Sequence, residues 1–288
     1  CGPAFDLSTA LETVTFGSCF AQHFARAMLA RGFAWTNKEE ALSGLSPEDA
    51  AAYNYGIFSA RTGNIYTSTL LLQWVKWALG EATPPDEVWE KDGRFYDPFR
   101  PNIEPGGFAS PEEVIRSREA CIEAFRRSIV EPKLFVFTMG LTESWWHGKD
   151  HAYEYPMCPG TVAGEFDPET HIFMNQSYPF VLKNLTEAIT LMRNWIISAS
   201  ESGGISHFSQ SAASASCGPQ GNAPPSSSQR DSAPAFPVSD ICGSFHKHRG
   251  DCLRAAHIAQ SHAGTRLARR QRSRANGTPR GLVFTRGS

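Results

Sequence analysis

Cysteine pairs of the Cys-x-x-Cys kind are absent from these 288 residues, and the seven cysteines (1, 19, 121, 158, 217, 242 and 252) show no metal-ligand spacing. An odd count without a framework argues against a disulfide scaffold and predicts a reducing, cytoplasmic compartment, with neither metal nor cofactor expected. No run of 18 or more apolar residues occurs, so no spanning helix is predicted and no membrane partner is expected. The first residues carry no basic segment and no apolar signal core. Tryptophan, tyrosine and methionine are all missing after residue 200. Charge divides at the same place: residues 1–200 hold 16 Lys+Arg against 25 Asp+Glu, whereas 201–288 hold 11 against 4. Two kinds of sequence are joined there. The expected organisation is one domain over 1–200 followed by a basic, low-complexity tail over 201–288.

Within the first part the informative stretch is Thr13-Val14-Thr15-Phe16-Gly17-Ser18-Cys19-Phe20. Alternating Val14 and Phe16 predict a short buried strand, Gly17-Ser18 a turn, and Phe20, Phe24, Ala27 and Met28 a helix that Gly32 stops. A small polar residue at that junction stands at the carboxyl edge of a sheet, beside the unpaired N–H groups of a helix start. Ser18 is thus either a helix cap or a site residue. Further on, Leu70, Leu71, Trp74, Trp77 and Ala78 predict an amphipathic helix ended by Gly80, with its tryptophans in the core. The Pro-, Gly- and aromatic-rich stretch from Glu81 to Pro111 reads as a lid or binding loop. Ser110-Pro111-Glu112-Glu113 opens a helix whose expected buried stripe is Val114, Ile115, Ile122, Phe125 and Ile129. Leu134 to Phe137 is an apolar strand of the parallel-sheet kind, delivering Thr138 to Glu143 to the edge that carries Ser18. A short strand at His171–Phe173 and a helix from Tyr178 to about Ser198 complete the pattern. The order predicts a three-layer α/β/α domain with a mainly parallel sheet.

Gly17-Ser18-Cys19-Phe20-Ala21 resembles the motif that names the GSCFA family, which looks like a branch of the SGNH/GDSL-type hydrolases. Tyr55 to Thr67, Gly140-Leu141-Thr142-Glu143-Ser144-Trp145 and Pro156 to Thr161 also resemble family segments. The likeness runs from about Phe5 to about Ser198, and Cys1-Gly2 reads as the start of a truncated fragment. The resemblance implies a serine esterase or deacylase acting on an O-acylated small molecule or saccharide, with Ser18 as nucleophile and its own N–H as an oxyanion donor. Gly63 or Asn64 matches the second block loosely. Gly140 and Thr142 stand in the third, where Thr142 replaces an asparagine. Glu143 is a site carboxylate or a cap for a following helix. Cys19 is a second-choice nucleophile, since a helix N-terminus lowers a thiol pKa, or else a thiol packed on the sheet.

The same resemblance implies an Asp-x-x-His that would activate the serine, and the chain contains none. His23 lies five positions past Ser18, about 140° round the helix, and faces away. His147 and His151 fall in a loop after Glu143 that could approach the site; His207, His246, His248, His257 and His262 lie in the tail. Ten arginines against one lysine after residue 200, with no period from Ser198 to about Ala235, read as a misread frame near residue 200. A nucleic-acid partner is not expected, because the basic run Arg266–Arg274 has no Tyr or Trp to stack on bases. A non-catalytic glycan- or peptide-binding module, suggested by Thr142 and the aromatics of 89–108, is the alternative function. The oligomeric state is left open.

Overall fold

The computed structural model describes residues 8–201. The expectations for the tail, including the shifted frame and its five histidines, lie outside the described residues. Strand β1 (Thr13–Gly17) leads directly into helix α1 (Cys19–Leu29), and β4 (Leu134–Thr138) pairs with β1 in parallel, Gly17 opposite Thr138. Between them come α2 (Pro47–Ala52), α3 (Ser68–Leu79), a hairpin of β2 (Trp89–Lys91) and β3 (Arg94–Tyr96), and α4 (Pro111–Val130). After β4 follow β5 (Glu143–His147), β6 (Tyr153–Tyr155), β7 (His171–Asn175) and α5 (Tyr178–Glu201). Strands β5 to β7 form an antiparallel sheet ordered β6-β5-β7.

The class is therefore mixed α/β. Among the described residues β1–β4 is the one parallel pair, where the sequence predicts a mainly parallel sheet. Helix starts follow local chemistry: Ser110 accepts the Glu113 N–H with Pro111 at the first turn, and Gly80 closes α3 in a left-handed conformation. Aromatic packing joins sheet to helices. Phe16 of β1 meets Phe125 of α4 edge-on at 4.7 Å, and Phe125 meets Trp74, which is fully buried on α3.

The helix expected from Phe20 to Met28 forms, its inward face is a finding, and two expectations are corrected. Helix α1 buries Ala21, Ala25 and Met28 and leaves Phe20 60% and Phe24 38% exposed. Small side chains let the helix sit close to the sheet, and the phenylalanines turn outward. On α4, Arg118 and Cys121 take inward positions, leaving Ile115 and Ile122 half-buried. The 81–111 stretch is no lid: Trp89, Asp97, Phe99, Arg100 and Ile103 are all buried.

That stretch is pinned by charge. Asp97 accepts from Arg100 Nε at 2.7 Å and from Arg118 at 3.0 Å, all three groups being inaccessible to solvent. Arg118 also donates to the carbonyls of Pro85 and Glu87, tying the segment to α4. Burial by itself would raise the Asp97 carboxyl, but the two guanidiniums outweigh it and hold the group below its ordinary range. Replacing Asp97 by Asn would leave two buried cations uncompensated. The Asp97→Asn variant is expected to lose about 3–5 kcal/mol of stability in urea denaturation.

Candidate active site

Gly17 is where the site begins. Its φ is +129°, and a Cβ there would stand 2.2 Å from the Thr138 carbonyl oxygen. Only a bare backbone lets β1 end this close to β4. Ser18 then donates its N–H to Thr138 O at 2.9 Å and opens α1. Ser18 holds the N-cap position, but its side chain makes no capping bond. The hydroxyl lies 3.4 Å from Thr138 Oγ1, its one hydrogen-bond partner among the described residues, and the residue is 5% exposed.

Two further segments close on it. Gly140 is so near that an added Cβ would meet Ser18 Cβ at 2.7 Å and Ser18 Oγ at 3.4 Å. The carbonyl of Tyr66 accepts the N–H groups of Gly140 and Leu141, at 2.9 and 3.1 Å, and the Ile65 N–H reaches Gly17 O at 2.8 Å. Beside them Gln22 donates to Asn64 Oδ1, and Asn64 Nδ2 donates to the Tyr66 hydroxyl, each at 2.9 Å. Gly140 is thus brought against Ser18, and Asn64 beside the first turn of α1, while Gly63 forms no hydrogen bond with Ser18 or Gly140.

The donors are largely engaged. The Ser18 N–H belongs to the bond with Thr138, and the Gly140 N–H to that with Tyr66. Thr142 spends its single hydroxyl proton on Asn175 Oδ1 at 2.7 Å. Cys19 and Phe20, in the first helical turn, have no carbonyl four residues back within their own helix, so that end favours an anion. Cys19 itself is a free, half-buried thiol.

Glu143 opens strand β5 rather than preceding a helix, so the capping reading fails. Its Oε2 instead accepts the Thr142 N–H at 3.3 Å. His147 does not lie in a loop. It ends β5, about 13 Å along the strand from Glu143, where its Nδ1 meets the Tyr155 hydroxyl at 2.9 Å and its ring stacks on Tyr153. Both tyrosines donate to the Glu87 carboxylate. His151 sits in the following turn against Trp146, and half-buried His23 pairs with Arg26. His171 has an Asp167 N–H on Nδ1, and burial lowers its pKa. No imidazole or carboxylate bonds Ser18 among the described residues, nor do three His, Cys, Asp or Glu side chains gather to hold a metal.

A sequence model of the GSCFA family matches residues 12–199. This chain belongs to the GSCFA family. No curated protein and no solved structure matches it. The GSCFA motif itself is the β1–α1 junction, and the family segments at Tyr55–Thr67 and Gly140–Trp145 are those that meet it. Sequence reasoning placed Thr138 at this edge without giving it a role, and missed the parts played by Tyr66 and Gln22, which gave no local signal. A groove of about 490 Å³ lined by Trp77, Ile122, Arg126 and Trp195 lies at the far end of α3 from Thr67, away from Ser18.

Behind the site, buried Glu154 receives the hydroxyls of Thr67 and Thr69, and Thr69 also takes an N–H from Gln176. Burial pushes the Glu154 carboxyl up to about 8, against the pull of the two threonines, from an ordinary 4.5. Between those values the folded chain holds a proton that the unfolded chain releases, so this carboxyl's contribution to stability falls as pH rises through the window. The Glu154→Gln variant should gain melting temperature relative to the parent between pH 5 and pH 8. Gly140→Ala forces a methyl onto Ser18 Cβ and should cost about 1–3 kcal/mol in urea denaturation.

Proposed function

We propose that this GSCFA domain is an SGNH-type acyl-ester hydrolase with Ser18 as nucleophile, acting on an O-acylated small molecule such as a modified saccharide. The close approach of Gly140 to Ser18 at the end of β1, with Ile65 bonded to Gly17 and Asn64 to Gln22 beside it, supports this reading. We take the β1–β4 pair as part of the parallel sheet of a three-layer, SGNH-like domain. Ser18 Oγ attacks the acyl carbonyl carbon, its proton passes to a base, and the alcohol leaves as the acyl-serine forms; water then releases the acid. The Cys19 and Phe20 amides, in the first turn of α1, are the candidates to face the oxyanion. We place the domain in a reducing cytoplasmic compartment on its odd cysteine count and lack of a disulfide framework in the sequence.

A second reading is a binding module on the same cleft. It draws on the missing contact between Ser18 and any base, and on the engaged hydroxyl of Thr142. Turnover of p-nitrophenyl acetate by the chain and by Ser18→Ala separates the two, with mass spectrometry for a fluorophosphonate adduct. The hydrolase reading expects a fall on the order of tenfold or more and an adduct on Ser18 that the variant lacks. Equal rates and no adduct would remove Ser18 from catalysis.

A further inference from the structure

The free edge of β4 carries an inference independent of the esterase reading. The bonds Leu134 N–H to Glu12 O and Ser18 N–H to Thr138 O fix which residues of β4 face β1: 134, 136 and 138. By the alternation of a parallel ladder, Phe135 and Phe137 turn their N–H and C=O groups to the other side. Among the described residues no strand pairs there. Every residue of β4 is half-exposed, whereas every residue of β1 is buried. Yet Leu134-Phe135-Val136-Phe137 has the composition of an interior strand, with no charge, proline or bulge to protect an edge.

The exposed face of α1 belongs to the same surface. Thr13, Thr15 and Gly17 direct their backbone groups away from β4, to Ala34, Ser59 and Ile65. Gln22 reaches Asn64 on that outer side of β1. Phe20 and Phe24 stand about 200° round α1 from Gln22, which turns them toward β4. They stack at 6.5 Å, and Met139, just past β4, is 47% exposed.

We infer that β4 pairs antiparallel with β4 of a second copy of this chain, forming a continuous sheet ordered β1-β4-β4-β1. A two-fold axis through Val136 sets Phe135 of one copy opposite Phe137 of the other. Such pairs exchange both bonds, so every outward group on both strands is satisfied by this one symmetric register. Val136, on the face away from Phe125, meets its own copy there, flanked by the Phe20–Phe24 stacks of both chains. The alternative occupant is a strand returning from α5, which the chain continues past at Glu201. From Ser198 to about Ala235, the span such a crossover draws on, the sequence has no apolar alternation. Phe20, Phe24 and Met139 expose roughly 300 Å² per copy, well under the roughly 800 Å² per partner of a standard interface. The dimer is therefore weak and concentration-dependent.

Sedimentation equilibrium of the full chain from about 1 to 100 µM, with amide exchange followed at Phe135 and Phe137, tests this. The expected result is a monomer–dimer equilibrium in which both amides slow as the dimer forms. The double variant Phe20→Asp/Phe24→Asp, at exposed positions, should keep its far-UV circular dichroism and raise the dimer Kd at least about tenfold. A monomer at every concentration overturns the proposal, and so does a dimer whose Phe135 and Phe137 amides exchange as fast as in the monomer. Protection of these amides in the monomer also overturns it and assigns the edge to the chain's own downstream residues.

Discussion

Two methyl groups that are not there hold this site together. A Cβ on Gly17 would strike the Thr138 carbonyl, and one on Gly140 would strike Ser18. Because both are absent, β1 and β4 end flush, in a register that hands the Ser18 N–H to Thr138. The loop after β4 is then free to pass over Ser18, where Tyr66 catches two of its amides with one carbonyl. Segments about 45 and 120 residues apart along the chain are brought together by backbone contact alone. Side chains add orientation afterwards, through Gln22, Asn64 and Tyr66.

What could be read in advance was what is decided locally. The Ser110-Pro111 start, the Gly80 stop and the strand-to-helix turn at Gly17-Ser18 each follow from one or two residues and their neighbours. Strand β5 escaped because Ser144, Trp145 and Trp146 are buried on both faces, so Glu143–His147 shows no alternation. The β2–β3 hairpin escaped for a different reason. Its strands are three residues each, and the segment is held by Arg118 from a helix that comes later in the chain. Aspartate and arginine are ordinarily surface residues, and nothing local to Asp97 announces a buried ion cluster.

The buried face of α1 has a physical lesson of its own. Helical spacing groups Phe20 with Phe24, and it equally groups Ala21 with Ala25. Spacing identifies a stripe but not which stripe faces inward. Here the alanines win because α1 crosses a sheet of two short strands at close range, where a phenylalanine would hold the helix off. The cost is an apolar face turned to the side of the sheet that also lacks a partner strand.

Placing a serine and activating it are separate tasks, and this domain accomplishes them unequally. Placement needs only register and glycines, all found within the described chain. Activation needs a base at hydrogen-bond distance, and every described histidine is engaged elsewhere: His147 with Tyr155, His151 against Trp146, His171 with Asp167, His23 with Arg26. The antiparallel sheet β5–β7 explains the first of these. By leaving the site at Glu143 and running outward, it carries His147 to the Glu87–Tyr153–Tyr155 cluster, whose carboxylate and phenols are better partners for an imidazole than an isolated hydroxyl. Moving that imidazole to Ser18 would mean breaking the cluster and reversing β5. On the proposed hydrolase reading, a base would therefore have to reach Ser18 from beyond these engaged histidines, and not through a rearrangement of β5.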